Sequence, residues 1–193
     1  QLVGGRAPNY PSFAVPEPPA RARGPPGSGT STLVKGICKN RNWTSLNGGE
    51  VFRVQAKERG LTVEEFSKLC REDLDVDRLL DEQLKLKMAD TSGPAIIESR
   101  LAAWWAMEIA PHVPRIHIST SIEERAKRLM KRDGGTYSEN FQRAGNRHRD
   151  DQHRYQSLYG ISLDDMTPYT HVIEADDLDE SKVLSMVLEI LEG

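Results

Sequence analysis

The sequence has few cysteines, no long apolar run and little net charge, and each of these absences excludes a class of protein. Its two cysteines, Cys38 and Cys70, show no spacing typical of a metal site or a redox pair, so we expect a reduced, cytoplasmic protein. No stretch approaches the ~18 apolar residues of a membrane span, and no signal-peptide pattern occurs. The net charge of -3 provides no overall attraction to nucleic acid or to an anionic membrane.

What is present indicates one α/β domain. A chain of 193 residues with 37% hydrophobic and 28% charged residues can bury a core beneath a polar surface. Short apolar stretches alternate with helical patterns, which predicts a parallel sheet covered by helices on both faces. Gln1 rather than Met stands first, so we expect a chain that is processed, trimmed or a fragment.

Residues 1–23 differ from the rest of the chain, because five prolines are scattered among Gly, Ala and Arg. Such a composition is typical of a flexible or extended arm. We therefore expect an atypical Pro-rich segment over residues 1–23 and a domain over residues 24–193. The only strand candidates before residue 24 are the apolar pieces at residues 2–3 and 13–15, so the first strand of the sheet is poorly defined.

A Gly-rich stretch at residues 24–32 predicts a loop that binds phosphate and runs into a helix. Glycines let successive N–H groups turn toward one anion, and the helix N-terminus adds partial positive charge. A flexible linker is the alternative for such a composition. The candidate ATP-binding residues are Gly24, Gly27, Ser28, Gly29, Thr30, Ser31 and Thr32.

Two positions of this loop matter for chemistry. Ser31 stands where a hydroxyl can bind a magnesium ion on the phosphates. Thr30 stands where the pattern has a lysine. Losing one such charge costs about 3 kcal/mol, or roughly 10²-fold in rate, unless another basic side chain substitutes.

Side-chain patterns predict where several helices begin and which faces they bury. Thr62 with Glu65 and Ser121 with Glu124 form capping boxes. Residues 47–49 (Asn-Gly-Gly) predict a turn. After the second box we expect four side chains to face inward: Ile122, Ala126, Leu129 and Met130. Trp104 and Trp105 are expected to pack in the core rather than to stack on a base.

Four stretches together resemble the nucleoside monophosphate kinases, most closely the archaeal type of cytidylate kinase. They are residues 24–32, 49–53 (Gly-Glu-Val-Phe-Arg), 98–104 (Glu-Ser-Arg-Leu-Ala-Ala-Trp) and 154–161 (Arg-Tyr-Gln-Ser-Leu-Tyr-Gly-Ile), the last followed by Asp164, Asp165 and Tyr169. Their order and spacing match the family from residue 24 to the C-terminus.

The resemblance implies a fold, an activity and partners. The fold is that of P-loop nucleoside triphosphate hydrolases, a three-layer α/β sandwich with a five-stranded parallel sheet. It carries a helical monophosphate-binding insert, here near residues 50–90, and a mobile lid, here near residues 133–160. The implied reaction moves the γ-phosphoryl of ATP to CMP or dCMP with Mg²⁺, and we expect a monomer.

The resemblance also implies site residues, carried by matching positions. Arg53, Arg100 and Asp165 are expected to bind the monophosphate, and Arg132, Arg147 and Arg154 to act in catalysis as the lid closes. Chemically, transfer between two polyanions needs several guanidinium groups in one place. For any single arginine a solvated surface position is the alternative, and for Asp165 it is a helix or turn cap.

Departures from the family pattern leave other functions open. Asn47 replaces the usual Ser before the Gly-Glu-x-Phe-Arg motif, and Thr170 replaces the Asp that usually follows the Tyr of the last strand. An AMP or UMP kinase, or a nucleotide-binding protein impaired in catalysis by Thr30, is therefore an alternative. A basic face for nucleic acid around Arg147 and Arg149 is a third, although Asp150 and Asp151 interrupt it.

Overall fold

The computed structural model describes residues 20–23, 25 and 27–192. Strands and helices alternate along this part of the chain. The strands are β1 (Ala20–Arg23), β2 (Ser45–Asn47), β3 (Ile96–Glu98), β4 (Arg115–Ser119) and β5 (His171–Glu174). The helices are α1 (Thr30–Arg41), α2 (Gly48–Glu58), α3 (Val63–Glu72), α4 (Leu74–Ala89), α5 (Ala102–Ile109), α6 (Ile122–Asp133), α7 (Tyr137–Tyr159) and α8 (Glu180–Ile190).

The strands form one sheet in the order β2-β3-β1-β4-β5, and every pairing is parallel. β1 lies at the centre, where Ala20 is in register with Ile96 of β3 and Arg21 with Arg115 of β4. All carboxyl ends of the strands therefore lie at one edge, which is where open α/β sheets bind ligands.

The first strand is not where the sequence pattern placed it. The apolar pieces at residues 2–3 and 13–15 lie outside the described residues, and β1 is instead the Ala-Arg-Ala-Arg segment directly before the Gly-rich loop. This segment has no β-branched or aromatic residue, so its propensity for strand is low. It pairs along its backbone with strands on both sides, and this tertiary context overrides the local preference.

Side-chain alternation along the strands creates two cores, one on each face of the sheet. Ile96, Ile116 and Ile173 pack against α1 and α8. On the opposite face, Ile97 packs against α5 and the end of α7, and this core contains Trp104 and Trp105. The expectation that these tryptophans are core residues is confirmed, since both are buried.

Helices α2, α3 and α4 enclose a third, smaller core beside the sheet. Phe66 and Cys70 of α3 are fully buried in it, with Ala56 of α2 and Leu80 of α4. Burial raises the pKa of the Cys70 thiol to about 12, and the nearby Asp77 raises it further. Cys70 therefore behaves as a small apolar residue.

The helix boundaries show which capping predictions hold. The Thr62–Glu65 capping box is confirmed, with both of its hydrogen bonds present. The Ser121–Glu124 box is only half formed: the Ser121 hydroxyl accepts from the Glu124 amide, but the Glu124 carboxylate bonds Arg128 instead. The turn predicted at residues 47–49 is wrong, because the Asn47 side chain caps α2 and the helix begins at Gly48.

The buried face of α6 also differs from the prediction. Ala126 and Leu129 are buried as expected, whereas Met130 is 38% exposed. Arg125 is buried instead, with only 6% of its surface exposed. A charged side chain thus occupies a position on the inner face of this helix.

Across the part of the chain that the structure describes, no helix has both the length and the apolar character needed to cross a membrane.

Candidate active site

The Gly-rich loop lies between β1 and α1, and two of its glycines have a left-handed backbone conformation. Gly27 and Gly29 have φ angles of 88° and 87°, a left-handed conformation that side chains strongly disfavour. The Ser28 amide donates to the Pro25 carbonyl at 3.0 Å, which closes the turn. Gly29 is the N-cap of α1, and no described side chain caps its first turn. The amides of that turn are therefore available to an anion. Gly24, predicted to begin the loop, lies outside the described residues.

The Thr30 side chain bonds another residue of the loop. Its hydroxyl lies 2.8 Å from the Ser28 hydroxyl, and both residues are buried. The position that usually holds a lysine therefore contributes a neutral hydrogen bond within the loop. Thr32, the last candidate of the loop, is exposed on the first turn of α1.

Ser31 is connected to two neighbouring strands through one carboxylate. Its hydroxyl donates to Glu98 Oε1 at 2.8 Å, and Asn47 Nδ2 donates to Glu98 Oε2 at 2.6 Å. Burial raises the pKa of the Glu98 carboxyl, while the bonds from Ser31 and Asn47 and the charges of Arg53 and Arg100 oppose that rise. Glu98 thus joins the ends of β2 and β3 to the start of α1.

Glu98 is a candidate functional residue that the sequence analysis did not assign to the site. The available signal was its place: it follows two buried isoleucines at the carboxyl end of a parallel strand next to the central one. A charged residue there faces the ligand edge of the sheet.

Arg53 and Arg100 both lie near Glu98, the carboxylate that accepts the Ser31 hydroxyl. Arg53 is exposed on α2, and its Nη1 lies 3.5 Å from where a Cβ on Gly49 would be. Arg100 follows β3, and its side chain is 14% exposed. Both lower the pKa of the Glu98 carboxyl, which places their charges near the ligand edge.

Arg154 of α7 reaches the same region and forms ion pairs with carboxylates there. Asp151 lies 2.9 Å from Nη2 of Arg100 and 3.2 Å from Nη2 of Arg154. Arg154 Nε also lies 3.4 Å from Asp77 on α4. Although burial opposes its charge, Tyr155, Asp151 and Asp77 raise the pKa of Arg154. Asp151 therefore connects an arginine that follows β3 with one from α7.

Arg147 lies seven residues, or about two helical turns, before Arg154 on α7. Its guanidinium is affected by the charges of Asp151, Arg100 and Arg154. Loss of hydration lowers its pKa, Asp151 opposes this, and Arg100, Arg154 and Arg53 lower it further. No described carboxylate forms an ion pair with Arg147 within 4.0 Å. Positive charge exceeds negative charge in this region, so it favours an anion.

Several guanidinium nitrogens here retain hydrogen-bonding capacity. Within the described residues, Nη1 and Nη2 of Arg100 and Nε of Arg154 are buried without an aligned hydrogen bond. Their ion pairs with Asp151 and Asp77 are close, but they do not have hydrogen-bond geometry. These donors suit phosphate oxygens, which arginine binds through two parallel N–H groups.

Two predicted site residues do not join this group. Arg132, near the end of α6, has an exposed side chain whose Nε and Nη2 bond the Asp133 carboxylate at 2.6 and 2.9 Å. That pairing lowers the pKa of Asp133 to about 2. Asp165 is exposed, and its Oδ1 accepts the Thr167 amide at 2.9 Å. Asp165 therefore caps a turn, which is the alternative that the sequence left open.

Comparison with known proteins shows that the sequence of this chain is similar to those of one enzyme family. A family model described as an AAA domain matches residues 23–154. The cytidylate kinase of Sulfurisphaera tokodaii is 31% identical over 164 residues, which cover 85% of this chain and 89% of that protein. The cytidylate kinase of Archaeoglobus fulgidus is 32% identical over 169 residues, which cover 88% of this chain and 92% of that protein.

The fold is also found among solved structures. A gluconokinase from Sinorhizobium meliloti 1021 matches with a TM-score of 0.58 at 16% identity, covering 91% of this chain and 93% of that one. At this identity the likeness shows the fold alone, which is the α/β fold of P-loop kinases. Because the matches to archaeal relatives span most of both proteins, as the four sequence stretches predicted, this chain belongs to the cytidylate kinase family.

Proposed function

We propose that this protein transfers the γ-phosphoryl group of ATP to CMP or dCMP, giving ADP and CDP or dCDP. An oxygen of the CMP phosphate attacks the γ-phosphorus, and the bond from that phosphorus to the ADP oxygen breaks. One observation carries the proposal. Arginines from α2, the end of β3 and α7 converge beside the Gly-rich loop, at the ligand edge of the sheet.

The donor side of the site comprises residues 27–32 and Glu98, and we assign it to ATP. Loop amides and the first turn of α1 are placed to bind the phosphate chain. The Ser31 hydroxyl and the Glu98 carboxylate are hard oxygen donors of the kind that Mg²⁺ prefers. Among the described residues, no group of three or more His, Cys, Asp or Glu side chains could hold a metal. A bound Mg²⁺ would neutralise phosphate charge and take its remaining ligands from the nucleotide and water.

The acceptor side of the site comprises Arg53, Arg100, Arg147 and Arg154 with Asp77 and Asp151. Arg53 and Arg100 would bind the phosphate of CMP. Arg147 and Arg154 would neutralise the transferring group, whose charge is spread over its three equatorial oxygens. The ion pairs through Asp151 and Asp77 hold Arg100 and Arg154 before substrate arrives.

Arg132 fits this proposal only after movement of the predicted lid, near residues 133–160. Its partner Asp133 ends α6, and Gly134 and Gly135, both with φ of 78°, connect α6 to α7. A hinge at these glycines would let α7 move relative to α6 when both nucleotides are bound. The helices α2 to α4 would form the predicted monophosphate-binding insert near residues 50–90.

The base of the acceptor nucleotide is proposed from the relatives and not from contacts in the site. Asn47 bonds Glu98 and caps α2, and Asp165 caps a turn, so neither is directed at a base within the described structure. CMP and dCMP are favoured because the relatives are named cytidylate kinases. AMP and UMP are the alternatives for the same phosphate site.

A second candidate function is nucleotide binding without turnover. It is favoured by Thr30, which is neutral, buried and bonded to Ser28 at the position where the general phosphate-loop pattern has a lysine. The two functions give different results in a coupled assay of ADP release with MgATP and CMP, dCMP, UMP or AMP. The kinase proposal expects turnover with CMP and dCMP above that with the other two. Stabilisation by MgADP without turnover of any acceptor would favour the second function.

A further inference from the structure

Arg125 is a buried arginine that is not among the residues assigned to ATP or CMP. It lies on α6, and 6% of its surface is exposed. Its Nε and Nη1 are buried and have no hydrogen-bond partner within the described structure. Buried charges are normally paired or hydrogen-bonded, because losing hydration without compensation is costly. An arginine in this state indicates a requirement other than folding.

The position of Arg125 is next to the phosphate loop. A Cβ added to Gly27 would lie 3.0 Å from the Arg125 carbonyl oxygen and 3.2 Å from the Arg125 Cβ. A side chain at residue 27 would crowd α6 and would also be strained at a φ of 88°, so glycine allows the loop and the helix to approach closely. Arg125 is therefore fixed against the loop at the point where its amides turn.

The charged neighbours of Arg125 do not neutralise it. Burial lowers the pKa of its guanidinium, and the nearby Arg100 lowers it further, while Glu123 opposes both. Glu123 is an exposed residue, and it forms no ion pair with Arg125 within 4.0 Å. Arg125 thus lies against the loop at Gly27, and its guanidinium is close enough to Arg100, which is assigned to the CMP phosphate, to be affected by that charge.

The neighbouring arginine of the same helix is already occupied. Arg128 donates from Nε to Glu124 at 3.0 Å, from Nη1 to the Ser28 carbonyl at 3.2 Å and from Nη2 to the Ala175 carbonyl at 2.7 Å. These bonds connect α6 to the loop at Ser28, and they occupy Nε, Nη1 and Nη2 of Arg128 with partners inside the protein. Arg125 has no such bonds from Nε and Nη1.

We infer that Arg125 binds the phosphate chain of the nucleotide in the loop and supplies, from α6, the positive charge that Thr30 does not provide. This inference rests on the proposed function, because it assigns a further binding residue to the same site. Phosphate oxygens would satisfy the unpaired N–H groups of Arg125. Because α6 packs against the loop at Gly27, a cation from this helix would be close enough to replace one from the loop.

The inference predicts opposite effects on the free and the nucleotide-bound protein. Removing a buried, unpaired charge should stabilise the ligand-free protein, because the cost of burying that charge is lost. The same change should weaken nucleotide binding, because a positive partner of the phosphates is lost. A residue with a purely structural role would not separate these two effects. The thermal shift caused by MgADP therefore tests the inference independently of turnover.

The experiment compares Arg125→Met, Arg125→Lys and a control, Lys131→Met, at an exposed position of the same helix. For Arg125→Met we expect an unchanged or higher midpoint of unfolding without ligand, and loss of most of the MgADP-induced shift. We also expect kcat/KM for ATP to fall about 10²-fold. Arg125→Lys should keep most of the shift, and the control should match the native protein.

A second-site test uses Thr30→Lys. The ratio of kcat/KM for ATP with and without Thr30→Lys should be at least about tenfold larger in the Arg125→Met background than in the native background. An intact MgADP shift in Arg125→Met, or an equal gain from Thr30→Lys in both backgrounds, would overturn the inference. Native protein that is stabilised by MgADP but turns over no acceptor would contradict the proposed kinase, while the MgADP shift would still decide the role of Arg125.

Discussion

The donor side and the acceptor side of the site are held in place by different interactions. On the donor side, Ser31, Glu98 and Asn47 are joined by hydrogen bonds of 2.6 to 2.8 Å, and the loop is shaped by its backbone. On the acceptor side, Arg100 and Arg154 are held by ion pairs to Asp151 and Asp77.

This difference bears on how each side meets its ligand. Backbone amides and a hydrogen-bonded carboxylate need little rearrangement, so the donor side is preorganised for a phosphate chain. The arginines of the acceptor side must share or exchange their internal carboxylates when a phosphate arrives. Binding of CMP should therefore depend more strongly on charge changes than binding of ATP.

The sharpest test of this contrast is Arg100→Met. Arg100 has two buried nitrogens without aligned hydrogen bonds in the described structure, so its N–H groups are available to the CMP phosphate. We expect kcat/KM for CMP to fall about 10³-fold, with KM for ATP changed less than about twofold. Steady-state kinetics with each substrate varied measures both, and Arg78→Met, exposed on α4, is the control. Equal losses for the two substrates would remove the distinction between the sides.

Asp151→Asn tests whether the ion pairs hold the acceptor side together. The change leaves Arg100 and Arg154 without the carboxylate that joins them. We expect a loss of about 3 kcal/mol in the free energy of unfolding, partly recovered when CMP is added. Denaturant unfolding with and without CMP measures this. The adjacent Asp150→Asn, on an exposed residue, should have little effect; similar losses in the two variants would contradict the assigned role.

Glu98→Gln makes the corresponding change on the donor side. Glutamine places an N–H group where Ser31 or Asn47 donates, and it removes the charge offered to Mg²⁺. We expect kcat to fall about 10²-fold and the Mg²⁺ concentration for half-maximal rate to rise. Rates measured over a Mg²⁺ series decide the point, with Glu108→Gln, exposed on α5, as control. An unchanged Mg²⁺ dependence would separate Glu98 from the metal.

The smallest expected effect concerns Asp81 of α4, which is not assigned to either nucleotide, although Asp77 raises its pKa and Arg154 lowers it. It is buried, it accepts the Tyr159 hydroxyl at 2.8 Å, and burial raises its pKa to about 6 from 3.8. The folded chain holds this proton more tightly than the unfolded chain. The resulting stability is complete below about pH 4 and is lost as pH rises through about 6.

Asp81→Asn keeps an oxygen for Tyr159 but does not ionise. Its stability relative to the native protein should therefore increase by about 1–3 kcal/mol between about pH 4 and pH 7. Unfolding curves across that range measure it, with Glu82→Gln on the exposed face of α4 as control. A stability difference that does not change with pH would show that Asp81 titrates normally.

Sequence patterns predicted the elements whose signals are local. The Thr62–Glu65 capping box needs only neighbouring residues, and it was confirmed. β1 was missed because its stability comes from strands far along the chain. Asn47 was assigned to a turn because its capping bond to Glu50 is visible only in three dimensions.

The residues of the candidate site that belong to family motifs were predictable from the sequence, and the others were not. The family motifs identified Arg53, Arg100, Arg147 and Arg154, which the structure brings together from separate segments. Glu98 had no recognised role, because its partners Ser31 and Asn47 come from other elements. Arg125 could not be found, because an amphipathic pattern assigns charged residues to the outer face of a helix.

The proposed kinase activity is tested most directly by transfer of label from γ-³²P-ATP to CMP in the presence of Mg²⁺, in native protein and in Arg100→Met. We expect labelled CDP with the native protein and its near loss in the variant, while both proteins retain the same thermal shift with MgADP. Absence of labelled CDP from native protein that binds MgADP, or equal labelling by the variant, would contradict it.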